Sequence, residues 1–169
     1  VVQDMGLRPI VEAARIAQKA KLPLVVHVGN YPPALPDVLN ILHRGDIVTH
    51  AYHGKKGGIL NEKQELIPEA IAARERGVCF DVGHGVASFS FTVFRQALAK
   101  GFDCDMISTD LHIENYEGPV YSLPAVLSKV INCSERLEDA ISKCTSVVAR
   151  HFGLQRLGEL KTGFIGDIS

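Results

Sequence analysis

The sequence predicts an α/β fold on a parallel sheet, and three observations carry that prediction. Between residues 7 and 110, amphipathic runs of helical period alternate with short apolar runs. The apolar runs are rich in Val and Ile and almost uninterrupted, as in strands covered on both faces. Parallel strands need crossovers, and the intervening helices supply them with the usual right-handed connection.

The elements follow in order. A helix over 9–20 places Ile10, Ala13, Ala14, Ile16 and Ala17 among its apolar positions, with Arg15, Lys19 and Lys21 turned outward, and feeds a strand over 22–28. A short helix over 36–43 leads to a strand over 46–51. A third helix, 65–76, has Pro68 in or near its first turn and Gly77 as its stop, and leads to a strand over 78–82. The fourth, 89–100, ends at Gly101 and leads to a strand over 106–110. Helices dominate 123–152, and 158–168 reads as strand, turn and strand.

Two architectures satisfy four such units: a doubly wound sheet and a (β/α)₈ barrel. The doubly wound fold needs a glycine-rich phosphate turn after its first strand, and residues 28–33 (VGNYPP) put prolines where N–H donors are required. The barrel is therefore favoured. A complete barrel takes about 250 residues, so four units make half of one. The chain begins at Val1 and ends inside a strand-like stretch, and both ends are expected to continue in a longer protein.

Composition narrows the function classes. With 46% hydrophobic and 22% charged residues over 169 positions, the chain has the makings of one globular domain. A formal net charge of -1 leaves no basic excess for nucleic acid or an anionic membrane surface, and neither is an expected partner. Cys79, Cys104, Cys133 and Cys144 show no C-x-x-C spacing, which suits free thiols in a reducing, cytoplasmic compartment. No apolar run approaches the ~18 residues of a membrane span.

The chemistry lies where polar residues interrupt apolar strands. His27, His50 and Asp110 each stand at or near the C-terminal end of a different predicted strand, and His84 follows the remaining one closely. In a parallel barrel these ends converge on the face that carries active sites. Imidazole and carboxylate are ligand types suited to Zn²⁺ and related ions. Taken singly, His27 reads equally well as a hydrogen-bonded core residue and Asp110 as a helix cap. Taken together they read as a metal site. The basic loop 52–58 (YHGKKGG) contains His53 and is suited either to close over an anionic substrate or to remain a solvated loop. His43 and His151 are expected at the surface without a chemical role, and Phe89, Phe91 and Phe94 are expected to be packing residues.

The carrying motifs are 23–29 (PLVVHVG), 45–55 (GDIVTHAYHGK), 80–85 (FDVGHG), 107–112 (ISTDLH), 118–124 (GPVYSLP) and 158–163 (GELKTG). In these the chain resembles the amidohydrolase superfamily, and within it the dihydroorotase-like amidohydrolase/deacetylase metallohydrolases. The resemblance implies a partial TIM (β/α)₈ barrel over 1–153, holding strands 5–8 with their helices, and the start of a C-terminal β-sandwich segment over 154–169. It implies His27 and His50 as ligands of one metal ion and Asp110 as ligand of a second and proton shuttle. Zn is the expected metal, with Mn, Fe or Co also suited. A metal-activated hydroxide would then attack a non-peptide amide or acyl ester of a small acylated substrate. His84, His112, Asn115 and His53 are implied as substrate-binding or supporting groups. The family's His-x-His pair and carboxylated lysine have no counterpart in this sequence, so the second metal needs ligands upstream of residue 1. The 169-residue chain alone is expected to be inactive, and the full-length protein a homo-oligomer.

Two other readings compete. One is a non-catalytic barrel kept as an interaction or assembly module. The other is a metal-free lyase or isomerase using its histidines as acids and bases.

Overall fold

The computed structural model describes residues 5–133 and 135–167. Its elements run α1 (Arg8–Ala20), β1 (Val25–His27), α2 (Leu35–Ile41), β2 (Ile47–Thr49), α3 (Pro68–Glu75), β3 (Cys79–Phe80), α4 (Phe91–Ala99), α5 (Leu123–Ile131), α6 (Leu137–Cys144) and α7 (Ser146–His151). The alternation is the one expected, with shorter strands.

Helix boundaries follow the local chemistry. Prolines stand in the first turn of α1, α2, α3 and α5, where a missing N–H costs nothing. Ser90 and Ser122 cap α4 and α5, accepting from Val93 N and Ala125 N. After α4, Gly101 takes a left-handed φ of 73°, and Phe102 N turns back to Ala97 O at 2.9 Å.

The three strands form a parallel sheet in the order β1-β2-β3, with Val25 beside Ile47 and Ile47 beside Cys79. Residues 106–110 run along the free side of β3. Asp81 forms a parallel bridge with Met106, and Val82 N, His84 N and Gly85 N donate to Met106 O, Ser108 O and Thr109 O. The expected strand over 106–110 is thus an extended segment held by single bonds.

Strand alternation divides the sheet into two faces. Val26, Val48 and Phe80 lie on one face, buried in a core with Leu39, Phe94, Val126 and Val130 from the helices. Val25, His27, Ile47, Thr49 and Cys79 lie on the other, where Ile47 is buried. Here coverage on both faces, expected from the apolar strands, is incomplete at β1: Val25 is 52% exposed and His27 is exposed. A continuous apolar run does not distinguish a face covered by this chain from one left open by it.

The tail also departs from expectation. Residues 158–167 form turns and bends, with no strand among the described residues, and Ile168 lies outside them. Their apolar positions, Leu160, Phe164 and Ile165, have no neighbouring strand among the described residues to pair with, and pairing makes a strand. The four cysteines are free, as expected. No described helix is long and apolar enough to cross a membrane.

Candidate metal centre

Of the residues predicted for the site, the structure brings His27, His50 and Asp110 together. The rings of His27 and His50 meet edge to face with centroids 4.2 Å apart. His50 Nε2 lies 3.9 Å from Asp110 Oδ2. His50 is buried and Asp110 half exposed.

The backbone that delivers them is strained. His50 has a φ of 63° and Asp110 a φ of 51°, in the left-handed region that non-glycine residues avoid. Such conformations persist where the surroundings over-determine them, and they cluster at functional sites. Two glycines make room for the pair. A Cβ on Gly83 would stand 2.1 Å from Thr49 Oγ1 and 2.9 Å from His50 Nδ1, and one on Gly85 would stand 2.9 Å from Asp110 Oδ2.

The close approach at Gly83 fixes the His50 tautomer. His50 Nδ1 lies 2.5 Å from Gly83 O, a carbonyl that can only accept, so Nδ1 is the donor, and in the neutral ring the lone pair is left on Nε2. Metal-ligating histidines are commonly oriented by a contact of this kind. Donor types therefore suit metal ligation, with the adjoining His27 and His50 rings toward one divalent cation and the Asp110 carboxylate toward a second. The set is open, however: among the described residues no three His, Cys, Asp or Glu side chains close around a single point.

The other expected residues are arranged differently. Asn115 is fully buried, and its amide is committed to the loop: Oδ1 accepts from His112 N, and Nδ2 donates to Asp110 O, both at 2.8 Å. His112 Nδ1 is 2.8 Å from Asp110 O, and its ring is more exposed. His84 is buried, with Nδ1 2.8 Å from Gly85 O and Nε2 3.0 Å from Lys129 Nζ, and it stacks on Phe89. Burial holds its pKa below the usual histidine value, and the Lys129 ammonium pushes the same way.

His53 is buried against Gly29 and Gly58, and its Nδ1 accepts from Lys55 N at 3.1 Å. Burial and then Lys55 lower its pKa. With His27, Asn30 and Lys55 it borders a cleft of about 1230 Å³, where Lys55 Nζ donates to Asn30 Oδ1.

Two expectations about the remaining residues change. His151 is no simple surface residue: Nδ1 lies 3.8 Å from Cys79 Sγ, and Nε2 is buried with no partner among the described residues. α7 turns this helix end inward. Phe89 packs as expected but also forms the platform for His84. His43 is exposed.

Sequence reasoning passed over Asp81, Thr49, Ser108 and Lys129. Asp81 is 5% exposed, and Oδ2 accepts from Thr49 Oγ1 and Ser108 Oγ, both at 2.6 Å. Burial raises its pKa against the lowering effect of the two hydroxyls. A carboxylate in the middle of an apolar strand was the available signal. Lys129 had none, because one lysine on an amphipathic helix looks like any other.

No family model matches the chain. A deacetylase of Enterococcus faecalis is 38% identical over 172 residues, covering 100% of this chain and 47% of that protein. A deacetylase of Agrobacterium fabrum is 35% identical over 169 residues, covering 100% of this chain and 42% of its own. Among solved structures, a crystal structure of an adenine deaminase superposes with a TM-score of 0.93 and 38% identity, over 96% of this chain and 45% of that one. A dihydroorotase superposes with a TM-score of 0.86 and 36% identity, over 94% and 43%. Along its whole length the chain is thus similar to deacetylases and to members of the amidohydrolase superfamily, and it spans a little under half of the deacetylases it matches.

Proposed function

We propose that this chain is the part of a metal-dependent hydrolase that carries strands 5–8 of a (β/α)₈ barrel, acting on a non-peptide amide or acyl ester of a small acylated substrate. The observation that carries the reading is the His50–Asp110 pair: an imidazole with its tautomer fixed by Gly83 O, its free nitrogen facing a carboxylate across 3.9 Å. The open sheet face at Val25 and His27 supports the partial barrel, because a second set of strands would cover it.

His27 and His50 would hold one divalent ion and Asp110 a second, with further ligands from outside this chain and Zn as the leading metal. Such an ion supplies Lewis acidity toward a carbonyl and a water-derived nucleophile at neutral pH. Asp110 is the proton carrier. It is half exposed, so its carboxylate can take a proton from the attacking water and return it to the leaving nitrogen or oxygen. Asn115 and His112 hold the Asp110 backbone in its left-handed conformation. Neutral His53 and the Lys55 ammonium line the cleft where the substrate's remainder would lie.

Elemental analysis of the full-length protein, with His27→Ala, His50→Ala and Asp110→Ala, tests the proposal. Divalent metal in the parent, reduced in the histidine variants, and turnover of acylated small acids lost in Asp110→Ala are expected. A parent free of metal after growth with Zn would overturn it and favour the assembly module or the acid–base enzyme.

A further inference from the structure

We propose that Asp81 is a positioning residue of the metal centre: its carboxylate ties the strand bearing His50 to the segment bearing Asp110 and so sets the spacing between them. The inference rests on the metal reading above.

One oxygen carries the tie. Asp81 Oδ2 accepts from Thr49 Oγ1 on one side and Ser108 Oγ on the other, each at 2.6 Å. Thr49 is the residue before His50, and Ser108 is two residues before Asp110. Asp81 is itself two residues before Gly83, whose carbonyl receives His50 Nδ1–H. His50, Asp110 and the Gly83 carbonyl therefore leave the sheet one or two residues beyond the residues that this carboxylate joins.

That is also where regular backbone geometry stops. Beyond Thr49 and Ser108 the chain enters the left-handed conformations of His50 and Asp110. The sheet ladder fixes the strands but not these departures, so an added constraint is needed at the exit.

Stability alone does not account for the residue. Asp81 is buried, and Oδ1 has no hydrogen-bond partner among the described residues. A desolvated carboxylate with an unmet oxygen is destabilising, and an apolar side chain would fill an apolar strand more cheaply. Its place beside the centre is explained by what Oδ2 holds.

The test is Co²⁺ titration of the metal-stripped full-length protein, read by visible absorption, for Asp81→Ala, Asp81→Asn, and Thr49→Val with Ser108→Ala. Asp81→Ala is expected to weaken Co²⁺ binding about 10–100-fold and to alter the band intensities, as loss of outer-shell support does. Asp81→Asn, whose amide oxygen still accepts from both hydroxyls, is expected to restore most of the affinity. The hydroxyl double variant keeps the carboxylate and is expected to match Asp81→Ala, which preserves the test if that variant does not fold. Wild-type affinity and spectrum in both Asp81→Ala and the double variant would overturn the role of Asp81. So would equal losses in Ala and Asn with an unaffected double variant, which would assign the effect to charge. A wild-type protein that takes up no Co²⁺ would instead overturn the metal reading itself, and this proposal with it.

Discussion

His50 and Asp110 face one another across 3.9 Å from two different sheet segments, and both hold left-handed backbone conformations. The approach depends on the absence of two β-carbons, at Gly83 and Gly85. Sequence spacing brings the residues to one end of the sheet, and these glycines allow contact.

Gly83→Ala therefore combines a strained φ of 47° with a Cβ 2.1 Å from Thr49 Oγ1. Strain of this kind costs about 1–2 kcal/mol and overpacking about 1–3 more. A loss of roughly 2–5 kcal/mol in urea denaturation is expected. Gly101→Ala is the control, because its φ of 73° carries strain but nothing lies within 4 Å of the added carbon. It should lose only about 1–2 kcal/mol. Equal losses at the two positions would mean that crowding around Gly83 contributes nothing.

Buried histidines give stability a pH dependence of definite sign. His53 and His84 have folded pKa values below the usual histidine value, chiefly through burial, with Lys55 and Lys129 adding repulsion. Unfolding lets both take up protons near pH 6.5. Their contribution is complete above that pH and is lost as pH falls through the depressed folded values, with a slope of up to about 1.4 kcal/mol per pH unit for each proton taken up. Asp81, raised by burial, acts oppositely: its folded form protonates first, which offsets part of the loss at lower pH. Urea midpoints should fall between pH 7.5 and 5.5, and His84→Gln should flatten that fall whatever it does to the level. An unchanged slope would remove His84 from the account.

The isolated 169-residue chain leaves Val25 half exposed beside a cleft of about 1230 Å³ lined by Ile10, Val28 and Leu35. An open strand face with such a cleft invites self-association. Light scattering after gel filtration is expected to show dimers or larger species. A monomer with a sharp cooperative melt would show that this face needs no cover.

The alternation of helix and strand was legible because apolar period differs between the two, and α1 and α4 fall within two residues of their expected bounds. His50 and Asp110 were legible because each ends an apolar run with a polar residue. Asp81 was not, since its meaning depends on Thr49 and Ser108, residues 32 and 27 positions away that only strand register brings to it. Asn115 had the same difficulty: its residue type suited substrate binding, while its complete burial and bonds to Asp110 O and His112 N belong to the loop fold. The tail misled for the converse reason. Leu160, Phe164 and Ile165 around a glycine looked like two short strands and a turn, but strands form by pairing, and residues 158–167 lack a partner strand among the described residues.

Lys129 links a helix to the candidate centre through two acceptors. Its Nζ donates to His84 Nε2 at 3.0 Å and to Pro119 O, so the 110–121 loop and the His84 turn share one ammonium. Burial lowers the Lys129 pKa, yet the group retains two acceptors that need its protons. Lys129→Met keeps the aliphatic length and removes both donors, leaving His84 Nε2 and Pro119 O without that partner, at about 1–3 kcal/mol per buried acceptor. Removing the ammonium also removes a repulsion from His84. Its pKa, followed by NMR titration of the ring protons, should therefore rise toward the usual histidine value. Lys129→Arg keeps charge and donors but replaces a compact ammonium with a planar fork, and is expected to restore part of the stability while leaving the His84 pKa low. If Lys129→Met lowers stability without moving the His84 pKa, the lysine holds the Pro119 loop alone and His84 owes its neutral state to burial.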